Sequence, residues 1–355
     1  MIFYLSTILR GWVPALNVIH YVSFRAMAAL LSALGLSFII GPAFMTFSKR
    51  WFRSKAREFT PHQHQEGKND MPTMGGIFVL LVVILSVLLW TNLAQPLVWV
   101  FLTCLVGFGA IGGWDDWRKL KTGRGISARL KSSLQCAMGA LVGVMWVFLC
   151  DPSTELVFPF FKTLHPALGL LFIPWIVFVL VGTSNAVNLT DGLDGLAIGS
   201  LLINFGTFAV VCYVAGHHKI ADYLQIPFAG TAELTVAAGA LVGASLGFLW
   251  YNTYPAQLFM GDVGSLSLGA GLAFMALAAK QELLLPLAGG LFVLETVSVM
   301  LQTFSFKMWK RRIFRMAPIH HHFELLGWPE SKITVRFSII SVVLCLLALM
   351  TLKLR

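Results

Sequence analysis

The sequence predicts an all-α integral membrane protein built as a bundle of about ten transmembrane helices. Its 355 residues are 57% hydrophobic and 12% charged, about half the charged fraction of a soluble domain. Only closed barrels, or helices of about 20 apolar residues, can cross the hydrocarbon of a membrane. The apolar runs are continuous rather than alternating, so barrel strands are excluded.

Ten apolar stretches are long enough to be helical spans, and we interpret residues 1–355 as a single membrane domain because no long linker or internal repeat divides them. Between the fourth and fifth spans, the segment 151–166 predicts a short β-hairpin. The five cysteines have no metal-binding spacing and are interpreted as small apolar residues. The predicted spans are 24–47, 75–92, 97–114, 132–150, 168–187, 195–215, 232–250, 264–280, 284–306 and 333–352.

The basic residues predict the orientation of the helices. The segments 49–74, 118–131 and 307–336 hold six, six and seven of the 26 Lys and Arg residues. Cytoplasmic loops carry such an excess, so these three segments are predicted to be cytoplasmic and both termini to face outward. This distribution indicates a membrane topology and no nucleic-acid partner, despite the net charge of +10.

Five aspartates fall at the predicted cytoplasmic face. Asp115 and Asp116 close the third span, Asp191 and Asp194 follow the fifth, and Asp262 precedes the eighth. Acids at helix ends can simply be solvated, and for each loop that alternative stays open. Mg²⁺ is often bound by one or two carboxylates together with substrate phosphates, and basic side chains bind phosphate charge. The mixture of acids and bases therefore favours a site for Mg²⁺ and phosphates.

Glycines flank the acid clusters and are expected to let the backbone approach a ligand closely. A histidine tract, HHHFE, begins at His320. Consecutive residues of a helix face different directions, which disfavours a zinc site, so we expect a loop that donates hydrogen bonds to a diphosphate; a solvated loop is the alternative. Glu295, in the middle of the ninth span, is a functional candidate by its location. A structural role fits it equally well, and we leave it outside the predicted site.

Five motifs together resemble the phospho-N-acetylmuramoyl-pentapeptide transferases, which belong to the superfamily of polyprenyl-phosphate phosphosugar transferases. The resemblance covers essentially the whole chain in order, spacing and length. One departure is the segment KNDMPTMGG, because members of the family often have Gly-Thr before this proline. The motifs are PTMGG (72–76), GGWDDWRK (112–119), NAVNLTDGLDGLA (185–197), YNTYPAQLFMGDVGSLSLG (251–269) and APIHHHFE (317–324).

The resemblance implies a reaction and a location. Undecaprenyl phosphate would attack the β-phosphate of UDP-MurNAc-pentapeptide, giving lipid I and UMP with Mg²⁺, in the bacterial plasma (inner) membrane with the active site facing the cytoplasm. A homodimer is an open alternative to a monomer. A sister transferase that moves another UDP-sugar phosphate, such as GlcNAc-1-phosphate, is the nearest rival function. A cation-coupled transporter is a more distant rival, because it predicts several acids near the membrane midplane.

The resemblance also assigns roles to residues. Asp262 would bind Mg²⁺, and Asp115 and Asp116 would be the catalytic pair near the lipid phosphate. The substrate-binding residues would be Lys68, Thr73, Lys131, Asn188, Asp191, Leu193, Asp194, Asn252, Phe259, His320, His321 and His322. Among these, Phe259 would stack on uracil, and Leu193, Asp194 and Asn252 would surround the uridine. For Asp115, direct displacement by the lipid phosphate is favoured over an aspartyl-phosphate intermediate.

Overall fold

The computed structural model describes residues 1–52, 71–159, 161 and 165–353, and these residues fold into helices joined by short connectors. The predicted all-helical fold is confirmed for this part of the chain. The helices are α1 (Ile2–Leu9), α2 (Val22–Trp51), α3 (Gly75–Trp90), α4 (Pro96–Thr122), α5 (Ala128–Cys150), α6 (Phe172–Thr190), α7 (Leu196–Ala215), α8 (His218–Leu224), α9 (Ala232–Asn252), α10 (Gly261–Ala278), α11 (Leu285–Ala288), α12 (Gly290–Trp309), α13 (Ile319–Glu324) and α14 (Glu330–Thr351).

Nine of the ten predicted spans each coincide with one helix, and the ninth span, 284–306, is divided between the short α11 and α12. Within the described ranges, nine helices are long and apolar enough to cross a membrane, and α3, with 16 residues, is a shorter apolar helix. The chain is thus a multi-pass membrane protein. Its outer helices α2, α5, α12 and α14 bury less than a third of their most apolar windows, which leaves broad apolar faces for lipid.

Helix α10 is the centre of the bundle, with 94% of its apolar window buried. It packs against α3, α4, α6 and α7. Its sequence, GDVGSLSLGAGLAFMALA, is rich in Gly, Ala and Ser, and small residues allow membrane helices to approach one another closely. Because Asp262 is the second residue of α10, the central helix carries a predicted site residue at its end.

Two local predictions differ from the structure. The third span was expected to end near residue 114, but α4 continues to Thr122. Its last two turns are rich in charged residues, and a helix need not end where its apolar residues end. Among the described residues of the predicted hairpin and its flanks, the pairing is one antiparallel bridge between Glu155 and Ala167. Pro152 and Pro166 cannot donate ladder hydrogen bonds, which accounts for the short pairing.

The end of the bundle remote from Asp115, Asp116 and Asp262 is held by a buried ion pair. Both guanidinium nitrogens of Arg25 in α2 lie 2.7 Å from the carboxylate of Glu233, at the start of α9. The same carboxylate accepts a hydrogen bond from the backbone N–H of Asn92, after α3, at 2.8 Å. Such bidentate geometry fixes direction as well as distance, so three helices are aligned at the end remote from the aspartates.

Candidate active site

Asp115, Asp116 and Asp262 come together where α4 crosses the start of α10. All three carboxylates are buried, with at most 7% of each residue exposed. A Cβ at Gly112 would lie 2.2 Å from the backbone oxygen of Asp262, so only glycine lets the two helices approach this closely. The sequence analysis expected this glycine to make room for a ligand. In the structure it makes room for the backbone of α10.

Two lysines lie among the three carboxylates. The Lys119 ammonium is 2.8 Å from Asp115 Oδ2, 2.9 Å from Asp262 Oδ2 and 3.5 Å from Asp116 Oδ1. The Lys131 ammonium is 3.2 Å from Asp115 Oδ2 and also contacts Asp262 Oδ2. Buried carboxylates require such compensation. The arrangement can bind phosphate oxygens through its ammonium groups and a cation through its carboxylates.

Lys119 was missed by the sequence interpretation, although a signal for it was present. It follows Asp115 by four residues and Asp116 by three in one helix, and side chains at these spacings are neighbours on the helix surface. Of the basic residues of 118–131, the sequence interpretation had named Lys131 alone as a site residue. In the structure Lys119 makes contacts with all three carboxylates.

The two consecutive aspartates have different partners. Asp115 Oδ1 accepts a hydrogen bond from the backbone N–H of Ile126 at 2.7 Å, and its other oxygen faces the lysines. Asp116 Oδ2 accepts from the backbone N–H of Val263 at 3.2 Å, in the first turn of α10. The first N–H groups of a helix have no partner within it. Asp116 therefore holds the beginning of the helix that carries Asp262.

Asn188 connects α6 to the same cluster. Its side-chain nitrogen donates to Asp262 Oδ1 at 3.1 Å and to Ser265 Oγ at 2.7 Å. Asp191 lies one turn further along, half-buried at the end of α6, where its N–H donates to Val187 O. The structure thus places Asn188 in direct contact with the predicted metal ligand.

A second set of predicted residues forms a wall of the candidate site beside the carboxylate cluster. Asp194 Oδ2 accepts from the backbone N–H of Ala256 at 3.0 Å. Asn252 Oδ1 accepts from Gly195 N–H at 3.1 Å, and the Asn252 amide donates to Leu258 O at 2.9 Å. The loop 191–195 is therefore tied to the loop that leads into Asp262.

Phe259 and Thr73 lie where this wall meets the start of α3. The backbone of Phe259 donates to Pro72 O at 2.9 Å and accepts from Gly75 N–H at 2.8 Å, and its ring stays half-buried. Thr73 is half-buried too, and its backbone oxygen accepts a hydrogen bond from Ser48 Oγ at 2.9 Å. Leu193 is buried. Lys68 lies outside the described residues.

The histidine tract forms the short helix α13 instead of the expected loop. Because consecutive helical residues face different directions, the three rings have three different environments. His320 is completely buried beside Glu295. His321 Nδ1 contacts Glu324 Oε2, and His322 Nδ1 accepts from Arg315 N–H at 3.1 Å. Only His321 and His322 are partly exposed.

Comparisons with known proteins identify the family of this chain. Residues 98–280 match the model of glycosyl transferase family 4. Over 359 residues, with both chains covered completely, the chain is 51% identical to the phospho-N-acetylmuramoyl-pentapeptide-transferase of Solidesulfovibrio magneticus. It is 49% identical to those of Citrifermentans bemidjiense, over 359 residues, and Aquifex aeolicus, over 361 residues. The chain belongs to the phospho-N-acetylmuramoyl-pentapeptide-transferase family. The resemblance that its motifs suggested is confirmed.

Whether a member of this transferase family could hold Mg²⁺ here depends on the available donors. In the described part of the chain, no three carboxylate, imidazole or thiol groups are arranged to bind a metal by themselves. Asp115 Oδ2 and Asp262 Oδ2 nevertheless converge on one cationic position, now taken by the Lys119 ammonium. Mg²⁺ is commonly bound by one or two carboxylates, with waters and phosphates completing its shell. The donor set fits that mode.

Proposed function

We propose that this chain transfers phospho-MurNAc-pentapeptide from UDP-MurNAc-pentapeptide to undecaprenyl phosphate, giving lipid I and UMP for peptidoglycan synthesis. The observation that carries the proposal is the cluster of Asp115, Asp262, Lys119 and Lys131 at the end of the central helix, in a chain of this transferase family. A transporter would instead need acids along the membrane interior, and the cluster lies at one end of the bundle.

Different parts of the protein suit different parts of the two substrates. The lysine and carboxylate cluster would bind the two reacting groups, the lipid phosphate and the β-phosphate of the sugar nucleotide, because Lys ammonium groups neutralise phosphate charge. The wall built from Asp194, Asn252 and Phe259 would bind the uridine. The apolar outer surfaces of the bundle would accommodate the polyprenyl tail. A site at a helix end is where a lipid phosphate and a soluble nucleotide can meet.

The reaction would be a direct in-line displacement. An oxygen of the lipid phosphate forms a bond to the β-phosphorus, the bond from that phosphorus to the bridging oxygen breaks, and UMP leaves. A phosphate monoester has a second pKa of about 6, so the attacking group is mostly dianionic at neutral pH. Asp115 would orient it and accept any remaining proton, while Lys119 and Lys131 would hold the phosphates in line.

Mg²⁺ would be held by Asp262, with waters and substrate phosphates completing its shell. When bound, it would neutralise charge that develops on the phosphate oxygens. Asn188 would keep Asp262 oriented through its hydrogen bond to Oδ1. Asp116 would act one step away, by holding the first turn of α10.

UMP release from UDP-MurNAc-pentapeptide by the purified protein, with and without undecaprenyl phosphate, tests the function. Release that requires the lipid phosphate is expected. UDP-GlcNAc assayed in parallel separates the sister transferase, since comparable turnover of that sugar nucleotide would assign a different substrate. No release from either would refute the proposed reaction.

Phe259→Ala is expected to raise the KM for the sugar nucleotide about 5- to 150-fold, because a base–aromatic stack contributes about 1–3 kcal/mol. The ring is half-buried and its backbone is held on both sides, so truncation should leave the fold intact. Phe259→Tyr, which keeps the π face, is the matched control. An unchanged KM in the Ala variant would rule out the stack.

A cysteine-labelling experiment tests the proposed orientation, with both termini outside and the active site in the cytoplasm. Cys136 is exposed and would be replaced first. A membrane-impermeant thiol reagent applied outside should then label Asp151→Cys, at the end of α5, and spare Thr253→Cys, beside the site. Both positions are exposed, so both should be labelled in detergent. The opposite pattern in intact cells would reverse the orientation.

A further inference from the structure

Glu295 is a fully buried acid in the second turn of α12. Its Oε2 lies 3.1 Å from Nδ1 of His320, and the backbone N–H of His320 points to the same oxygen at 3.5 Å. Burying a carboxylate is costly unless it is compensated. The acid and the ring therefore have a reason to stay together, and α12 thereby reaches the histidine helix α13.

The other side of the His320 ring supports the loop that holds the nucleotide wall. A Cβ on Gly192 would lie 2.2 Å from His320 Nε2 and 2.8 Å from Cε1. Gly192 is itself exposed, whereas His320 has no exposed surface. The glycine therefore lies directly against the buried ring. The His320 ring thus supports the loop at Gly192.

The same loop is anchored by neighbouring contacts. Leu193 packs with Leu291 of α12 and with Ile333 and Phe337 of α14 in a small apolar cluster. Thr334 Oγ1 also donates to the backbone oxygen of Asp194 at 3.2 Å. These contacts fix the ends of the loop, and the His320 ring lies directly against Gly192.

We propose that Glu295 is a positioning residue for nucleotide binding. It orients the His320 ring, the ring holds Gly192, and the loop from Asp191 to Asp194 is thereby kept in the shape that binds the uridine end of the sugar nucleotide. The inference rests on the proposed function and adds to it a second layer of residues. Groups behind a binding site commonly determine its precision in this way.

Kinetic separation of the two substrates tests the proposal. Glu295→Ala should raise the KM for UDP-MurNAc-pentapeptide, and the Kd of UMP measured without lipid substrate, by about tenfold, a size found for coupled neighbours. The KM for undecaprenyl phosphate should stay within about twofold, because the proposed function places that substrate at the carboxylate cluster and the outer surface of the bundle. Glu295→Gln keeps an oxygen that can accept from the ring and should restore near-normal binding. Thr296→Val, whose hydroxyl bonds only within α12, is the matched control.

A second pair of variants tests the contact with Gly192 and does not depend on Glu295. Gly192→Ala should weaken UMP binding because its methyl group would collide with the ring. Adding His320→Ala removes the ring, so the double variant should bind no more weakly than His320→Ala alone. Strictly additive losses, or a Glu295→Ala variant that lowers only kcat or thermal stability, would overturn the proposal. If the wild-type protein forms no lipid I, the proposed function fails instead, and UMP binding still tests the loop.

Discussion

Asp262→Asn is expected to lower turnover about 10³-fold at ordinary Mg²⁺ concentrations. A bound metal stabilises the charge of the transition state by several kcal/mol, and Asp262 contacts both lysine ammonium groups as well as Asn188. An amide also binds Mg²⁺ more weakly than a carboxylate does. UMP release measured across a range of Mg²⁺ concentrations should show residual activity that needs far more metal than the wild-type protein.

Asp222→Asn is the matched control for this change, because Asp222 is exposed on α8, far from the cluster. It should leave both the rate and the Mg²⁺ requirement unaltered. If Asp262→Asn lost activity without any shift in its Mg²⁺ requirement, the carboxylate would not be the metal ligand.

Asp115→Asn should reduce turnover about 10²–10⁴-fold, the contribution of a positioned acid or base. Its defect differs from that of Asp262→Asn in not responding to extra Mg²⁺. Raising the pH should restore part of the activity, because the second proton of the lipid phosphate dissociates with a pKa of about 6. Most of this recovery should fall between about pH 5 and pH 7, where the lipid phosphate becomes a dianion and needs an acceptor less.

A covalent route predicts the opposite behaviour for the same variant. If Asp115 formed an aspartyl-phosphate, Asp115→Asn would be inactive at every pH. The wild-type protein given only the sugar nucleotide would then release about one UMP per site and retain the sugar phosphate. Asp116→Asn is the comparison variant, since its amide oxygen can still accept from Val263 N–H; we expect a smaller loss there.

The helices themselves could be predicted because the physics of the bilayer is local. A run of about 20 apolar residues has few alternatives to a membrane helix, and every predicted span is helical, although the ninth is divided between α11 and α12. Counting spans also assigned the aspartate-bearing ends to one face. In the structure Asp116 and Asn188, on different helices, both contact the first residues of α10.

Local pattern was less informative about the ends of elements. The charged continuation of α4 looked like a loop, so Asp115 and Asp116 were assigned to the end of a span instead of the interior of a longer helix. The histidine tract was expected to be a loop and is a helix. In both places the structure depends on packing against other segments, which the order of residues does not display.

The sequence by itself determined the membrane class of this protein, its family and the residue types at its site, because these follow from apolar run length and from motifs contiguous in the chain. Only the tertiary structure decided which groups act on which. Lys119 had been assigned to a basic loop, and folding brings it between three carboxylates. Glu295 and His320 are 25 residues apart and meet beneath Gly192. Such contacts arise from the packing of helices that are distant in sequence, and their distances of 3 Å are set by the whole bundle.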